Sequence, residues 1–227
     1  MNIADNIKII NEKIERAAMR SGRTAKDITL IAVSKTVDID SMRLAARCGI
    51  DNFGENRVQE LVSKYPLMEN VNWHLIGHLQ TNKVKYIADK VSLIHSVDSL
   101  KVAKEIDLRA KSKNKCQDIL VEVNISGEPT KFGVGKEDLT GLIEELQSLE
   151  NIRVCGLMTI APFGADKDEL KKLFENCNNL FIDIRGKKYH NVFMSILSMG
   201  MTNDFETAIE CGANMIRIGT GIFGNRK

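Results

Sequence analysis

Residues 29–48 read TLIAVSKTVDIDSMRLAARC, and this stretch decides the fold class because it joins a buried strand to a helix. The run TLIAVS is almost continuously apolar, which is typical of a strand buried on both faces of a parallel sheet. A polar turn follows, and a longer helical stretch covers about residues 38–48. The stretch therefore predicts one strand–helix unit of an α/β protein.

Further units of the same kind follow along the chain. The predicted strands are Thr29–Ser34, Asp51–Phe53, Trp73–Ile76, Ser92–Val97, Asp118–Asn124, Arg153–Thr159, Val192–Leu197 and Met215–Ile218. The predicted helices between them cover residues 38–48, 55–65, 79–90, 98–113, 136–149, 166–183 and 203–212. Each connection is long enough for one crossover helix, as parallel strands require. This alternation predicts an α/β (β/α)8 barrel of the TIM type, and a doubly wound open sheet is the alternative.

An extra helix is predicted before the first strand. Its apolar stripe is formed by Ile3, Ile7, Ile10, Ile14 and Ala17, which recur at helical spacing. The chain has three prolines and no linker rich in proline, glycine or serine. We therefore expect residues 1–227 to form a single domain.

Composition and charge narrow the class of protein. The 227 residues include 32 Lys+Arg and 30 Asp+Glu, a formal net charge of +2, and 43% are hydrophobic. These values predict a globular protein without an electrostatic signature for nucleic acid or an acidic membrane. Five cysteines without a CxxC pair fit neither a disulfide framework nor a zinc site. Because no secretory signal or apolar stretch of about 20 residues is present, we expect a cytoplasmic protein.

Polar and glycine-rich residues follow the predicted strands, at the end where a barrel carries its functional site. Lys35 is the most informative of these residues, since it ends the apolar run LIAVSK. Apolar neighbours disfavour the charged form of an amine, and an imine-forming lysine reacts as the neutral amine. The alternative is a strand-end lysine whose ammonium extends into water.

A glycine-rich turn lies at the end of the sequence. RIGTGIFG at 217–224 matches GxGxxG, yet a dinucleotide site needs an acidic residue about 20 positions later, and only residues 225–227 remain. Its amides and the Thr220 hydroxyl instead suit a phosphate, and the SMGM loop adds Ser198 and Gly200. Barrel phosphate sites are commonly formed by the loops after the last two strands. Two ordinary tight turns are the alternative.

The histidines predict no metal site. His74 and His78 have HxxxH spacing, but four residues of a strand span about 13 Å, too far for one metal ion. We expect His74 to pack in the barrel, His78 to be exposed, and His95 to be a hydrogen-bonded core or rim residue.

Seven segments make the sequence resemble a known family. They are AVSKT (32–36), FGENRVQE (53–60), WHLIGHLQTNK (73–83), VNISGEPTKFG (123–133), GLMTIAP (156–162), LSMGMTNDFETAI (197–209) and RIGTGIFG (217–224). In this order, over nearly the whole chain, they resemble the pyridoxal phosphate homeostasis protein family, whose fold is similar to the N-terminal barrel of alanine racemase.

The resemblance implies that the chain binds pyridoxal 5′-phosphate. By this resemblance, Lys35 would carry the cofactor as an internal aldimine. Asn56 would lie near the ring, and Arg217 would face the pyridine nitrogen. Four residues of the last two turns would hold the phosphate: Ser198, Gly200, Gly219 and Thr220.

The same resemblance favours a carrier over an enzyme. An arginine opposite the pyridine nitrogen disfavours its protonation, and the ring becomes a weaker electron sink. Racemases of this type add a second domain that supplies a tyrosine base and builds a dimer, whereas this sequence stops three residues after the glycine turn. We therefore expect a monomer without catalytic residues that supplies pyridoxal phosphate to apo-enzymes in vitamin B6 homeostasis. The alternatives are a pyridoxal phosphate-dependent amino acid racemase or lyase and a cofactor-free Schiff-base aldolase.

Overall fold

A closed ring of parallel strands lies at the centre of the computed structural model, which describes residues 2–224. The strands are β1 Thr29–Val33, β2 Asn52–Glu55, β3 Asn72–Leu75, β4 Leu93–Val97, β5 Gln117–Asn124, β6 Val134–Gly135, β7 Ile152–Met158, β8 Val192–Ser198 and β9 Met215–Ile218. The ring runs β1–β2–β3–β4–β5–β7–β8–β9 and closes on β1, while the short β6 pairs with β5 outside it. The predicted (β/α)8 barrel is therefore confirmed.

Helices lie on the outside of the ring. They are α1 Ile3–Arg20, α2 Ile39–Arg47, α3 Val58–Lys64, α4 Leu100–Ser112, α5 Leu139–Leu146, α6 Lys167–Arg185, α7 Phe205–Glu210 and α8 Thr220–Phe223. Helix α1 precedes β1, and α8 follows β9. The helix predicted over residues 79–90 is wrong, because the chain forms only a 3₁₀ helix at Thr81–Tyr86 there. Val84 and Ile87 are buried three residues apart, which matches the period of a 3₁₀ helix.

The predicted N-terminal helix α1 packs beside α7 and α8. Its first turn is capped by Asn2, whose Oδ1 accepts a hydrogen bond from the Asp5 N–H at 2.9 Å. Ile7, Ile10 and Ile14 are buried, as the apolar stripe predicts. Between residues 2 and 224, every helix is too short or too polar to cross a membrane.

Apolar side chains fill two layers of the barrel. The larger layer lies between strands and helices and includes Phe53, Trp73 and Phe174. The inner layer consists of Ile31, Leu93, Leu120, Cys155, Met158 and Met215. Because side chains alternate along a strand, His95 and Arg217, two residues after Leu93 and Met215, also face the interior. The inner apolar layer therefore forms a floor below polar groups at the carboxyl ends of the strands.

Candidate functional site

Lys35 lies just beyond the carboxyl end of β1. Its side chain is half-buried, and within residues 2–224 its ammonium has no hydrogen-bond or ion-pair partner. Ser34 before it is fully buried and Thr36 after it is exposed, so Lys35 sits at the boundary between the barrel and water. An amine in this position is available to a ligand that enters the mouth of the barrel.

Arg217 is buried in the barrel interior. Its Nη1 donates a hydrogen bond to Ser198 Oγ at 2.7 Å, and its Nη2 donates to the Thr159 carbonyl oxygen at 2.9 Å. Burial lowers the pKa of Arg217 to about 10, although Glu122 and Asp204 oppose this shift. The guanidinium is therefore a fixed cation at neutral pH.

A buried pair of histidines continues from Ser198 across the interior. Ser198 Oγ lies 3.1 Å from His95 Nδ1, and His95 Nε2 lies 3.0 Å from His74 Nδ1. His74 Nε2 lies 3.1 Å from the Asn52 side-chain oxygen. Burial lowers the pKa of His74 to about 4 and the pKa of His95 well below its ordinary value. Both rings are neutral at pH 7, and the prediction that His95 is a hydrogen-bonded core residue is confirmed.

The two ends of this chain fix the direction of its hydrogen bonds. Arg217 can only donate, and the Asn52 oxygen can only accept, while the Asn52 amide nitrogen donates to the neighbouring aspartate. His74 and His95 therefore carry their hydrogen on Nε2. The Ser198 hydroxyl hydrogen points to His95 Nδ1. The sequence predicted that this hydroxyl belongs to a phosphate-binding turn. In the structure it is hydrogen-bonded to Arg217 and His95 instead. The role of Ser198 in phosphate binding stays a prediction.

A buried carboxyl group, Glu122, faces the same interior from β5. Burial raises its pKa to about 7; the nearby Asp98 charge adds to this shift and Arg217 opposes it. Sequence reasoning missed this residue. An acidic side chain inside the apolar run DILVEVN was the signal that could have found it.

The glycine turns after β8 and β9 are joined to each other. The Arg217 N–H donates to the Gly200 carbonyl oxygen at 3.0 Å, and the hydroxyl oxygens of Thr202 and Thr220 lie 3.2 Å apart. Gly200 has a φ of +94°, a conformation that favours glycine. The structure therefore brings the predicted residues Gly200, Gly219 and Thr220 together at the carboxyl ends of neighbouring strands.

Asn56 lies after β2, and its side-chain oxygen is buried. Within the described part of the chain, this oxygen has no hydrogen-bond partner. A buried acceptor without a donor is unfavourable by about 1–3 kcal/mol. The residue therefore fits a site in which a bound group supplies the missing contact.

His78 is exposed, as the sequence predicts. Its exposed ring stacks on Phe132, with 3.9 Å between the ring centroids, and its Nδ1 lies 3.4 Å from Asp98 Oδ2. His74 is buried in the interior, so the prediction for both residues is confirmed. In the part of the chain that the structure describes, no group of three or more His, Cys, Asp or Glu residues could hold a metal ion.

Comparison with known proteins places this barrel in a family. The family described as alanine racemase, N-terminal domain, matches residues 2–227. A pyridoxal phosphate homeostasis protein from Aquifex aeolicus is 44% identical over 229 residues, covering 100% of both chains. The chain belongs to the pyridoxal phosphate homeostasis protein family.

Solved structures agree with this assignment. PipY of Synechococcus elongatus, in a structure with PLP bound, has a TM-score of 0.84 and 31% identity, covering 98% of this chain and 100% of that one. An alanine racemase from Clostridium difficile has a TM-score of 0.72 and 18% identity, a likeness that shows the fold alone. This chain covers only 56% of that racemase. The homeostasis family thus matches the chain over its full length, whereas the racemase extends well beyond the shared barrel.

Proposed function

We propose that this chain binds pyridoxal 5′-phosphate through Lys35 and acts as a non-catalytic carrier of the cofactor in vitamin B6 homeostasis. It would do so in the cytoplasm, as a monomer, with residues 1–227 forming one domain. The observation that carries the proposal is the half-buried Lys35 after β1, whose ammonium has no partner within residues 2–224. The PLP-bound PipY structure and the shared family support the choice of cofactor.

Lys35 would hold the cofactor covalently. The Lys35 amine would be linked to the aldehyde carbon of the cofactor by a C=N bond, with release of one water molecule. Asn56, whose buried oxygen has no partner among the described residues, would lie against the ring. The proposed phosphate residues are Ser198, Gly200, Gly219 and Thr220. Ser198 ends β8, and its hydroxyl already contacts Arg217 and His95, so it would contribute by holding the turn that follows it.

Arg217 supports a carrier rather than an enzyme. Bound pyridoxal phosphate supplies an electron sink that is strong when its pyridine nitrogen is protonated. Arg217 is fixed by Ser198 and Thr159 and offers only donors and a positive charge. It would face that nitrogen and would disfavour its protonation. Glu122, with a pKa of about 7, is the observation that favours the racemase or lyase alternative, since a buried carboxyl near neutrality can act as a base.

Deuterium exchange separates a carrier from an enzyme. The loaded protein is incubated with alanine or serine in D₂O, and we expect no exchange at the α-carbon above the rate of free cofactor. Exchange at enzyme-like rates that Lys35→Ala abolishes would establish the racemase or lyase alternative. A second assay mixes the loaded protein with an apo-enzyme, which should regain activity. Failure to transfer cofactor, or sedimentation as a stable dimer, would contradict the corresponding part of the proposal.

A further inference from the structure

Two side chains of α3 bind the backbone on either side of Lys35. Lys64 Nζ donates a hydrogen bond to the Ser34 carbonyl oxygen at 2.7 Å. On the other side, the Thr36 N–H donates to Glu60 Oε1 at 2.5 Å. Both residues that flank Lys35 are therefore fixed to the same helix, while its own ammonium stays free of partners within residues 2–224.

These contacts belong to a network that we call the clamp, formed by Glu55, Glu60 and Lys64. Lys64 Nζ donates to Glu55 Oε1 at 2.9 Å and to Glu60 Oε1 at 2.6 Å. The Ser34 hydroxyl donates to Glu55 Oε1 at 2.7 Å. All three ammonium hydrogens of Lys64 are used, so this lysine has none left for a ligand.

Stability alone is a poor explanation for the clamp. The Glu55 side chain is fully buried, and the Lys64 side chain is 10% exposed. Removing two such charges from water largely offsets their attraction, and buried ion pairs are therefore weak stabilisers. Their attested use is to fix one arrangement among several, which here is the arrangement of the turn at Lys35.

Thr36 shows why this turn needs to be fixed. Its φ is +59°, the left-handed region that a β-branched residue rarely adopts. Such a conformation persists only where surrounding contacts hold it in place, and residues of this kind are concentrated at functional sites. The hydrogen bond to Glu60 supplies that constraint. Without it, we expect the turn to relax and Lys35 to lose its direction into the barrel mouth.

We propose that Glu55, Glu60 and Lys64 are positioning residues that fix Lys35 for imine formation with an aldehyde ligand. The inference rests on the proposed function, in which Lys35 is the cofactor lysine. The clamp acts on the addition of the amine to the aldehyde carbon, which forms C=N and releases water. The proposed phosphate turns follow β8 and β9, on other strands, so phosphate binding should not depend on the clamp.

Two probes separate imine formation from phosphate binding. Pyridoxal 5′-phosphate carries the aldehyde, whereas pyridoxine 5′-phosphate has an alcohol in its place and forms no imine. For Glu60→Ala we expect about tenfold weaker binding of the aldehyde, from the loss of a charge-assisted hydrogen bond, and unchanged binding of the alcohol. Gln59→Ala is the matched control, since Gln59 is exposed on the same helix and should keep both affinities.

Thr36→Gly tests whether the defect comes from the backbone conformation. Glycine adopts a positive φ freely, so Glu60→Ala combined with Thr36→Gly should recover most of the imine absorbance. Glu60→Gln keeps an acceptor oxygen and should lie between the wild type and Glu60→Ala. Wild-type affinities in Glu60→Ala, or an equal loss of both probes, would overturn the positioning role.

Amide exchange tests the clamp in the wild-type protein without ligand. The Thr36 amide should exchange slowly with water although its residue is exposed, because Glu60 binds its hydrogen. Fast exchange would overturn the clamp whatever the protein binds. A wild type that forms no imine at Lys35 would overturn the proposed function, and a normal imine in Glu60→Ala would overturn only the clamp, so the two failures are distinguishable.

Discussion

Arg217 Nη1 donates a 2.7 Å hydrogen bond to Ser198 Oγ between neighbouring strands, and both side chains are buried inside the barrel. Through this contact, the strand ends that carry the glycine turns after β8 and β9 are joined to the hydrogen-bonded histidine chain. That chain ends at Asn52. A guanidinium bound in this way presents a fixed positive charge to whatever enters the barrel.

Ser198→Ala should destabilise the protein by about 1–3 kcal/mol, because it leaves a buried arginine donor and the buried His95 acceptor without a partner. Urea denaturation measures the change in the free energy of unfolding. The control is Ser92→Ala just before β4, where the side chain is exposed and its hydroxyl has no hydrogen bond within residues 2–224, so the change should stay within about 0.5 kcal/mol. Equal stability of the two variants would contradict the buried hydrogen-bonded chain.

Acid should weaken the folded state through His74. Burial lowers its pKa from 6.5 to about 4, so the unfolded chain binds a proton in this interval and the folded one does not. The stability of the neutral folded form is intact above pH 6.5 and falls as the pH drops towards 4, by about 3 kcal/mol. The difference in unfolding free energy between wild type and His74→Gln should follow this pH course. The control is His190→Gln, because His190 is exposed; its difference from wild type in unfolding free energy should not follow this pH course. A pH-independent difference for His74→Gln would contradict the burial of a neutral His74 ring.

Glu122 predicts the opposite pH dependence. Burial raises its pKa from 4.5 to about 7, so the folded state binds the proton more tightly than the unfolded state. This contribution is present below pH 4.5 and is lost as the pH rises through 7, by about 3 kcal/mol. The free energy of unfolding of Glu122→Gln, relative to that of wild type, should therefore increase as the pH is raised from acid to mildly alkaline values. The control is Glu144→Gln, at an exposed position, which should show no such gain. Absence of the gain in Glu122→Gln would contradict a protonated Glu122 carboxyl in the folded protein.

Phosphate contacts should hold the cofactor more firmly than the imine does. A dianionic phosphate bound by turn amides and the Thr220 hydroxyl makes charge-assisted hydrogen bonds of about 1.5–3 kcal/mol each. Calorimetry should show Thr220→Val binding about tenfold to a hundredfold more weakly. Lys35→Ala should still bind, without the imine absorbance. A Lys35→Ala variant that loses all affinity while Thr220→Val keeps it would show that the covalent bond dominates.

The barrel could be predicted because each buried strand is a short apolar run of its own. The run at 215–218, for example, coincides with the observed strand β9. The Asp51–Phe53 run was short and contained Asn52, and the observed β2 extends to Glu55. Helix boundaries were harder to place, since residues 79–90 carry apolar positions that suit either an α-helix or a 3₁₀ helix.

The candidate site could be predicted only where its residues follow strands directly. Lys35 and the glycine turns lie at strand ends, and parallel strands all end at the same rim of a barrel. The contact between His95 and Ser198 joins residues 103 positions apart, so it depends on barrel closure and strand register rather than on local sequence. The clamp had one local signal, the spacing of four residues between Glu60 and Lys64 on a helix, but nothing local linked it to Thr36.

Borohydride reduction tests the central claim most directly. The protein is incubated with pyridoxal 5′-phosphate and reduced, so that hydride adds to the imine carbon and leaves a stable amine, and the labelled peptide is then mapped. The account predicts a pyridoxyl group on the peptide that contains Lys35. Label on another lysine such as Lys83 or Lys131, or no label at all, would contradict it.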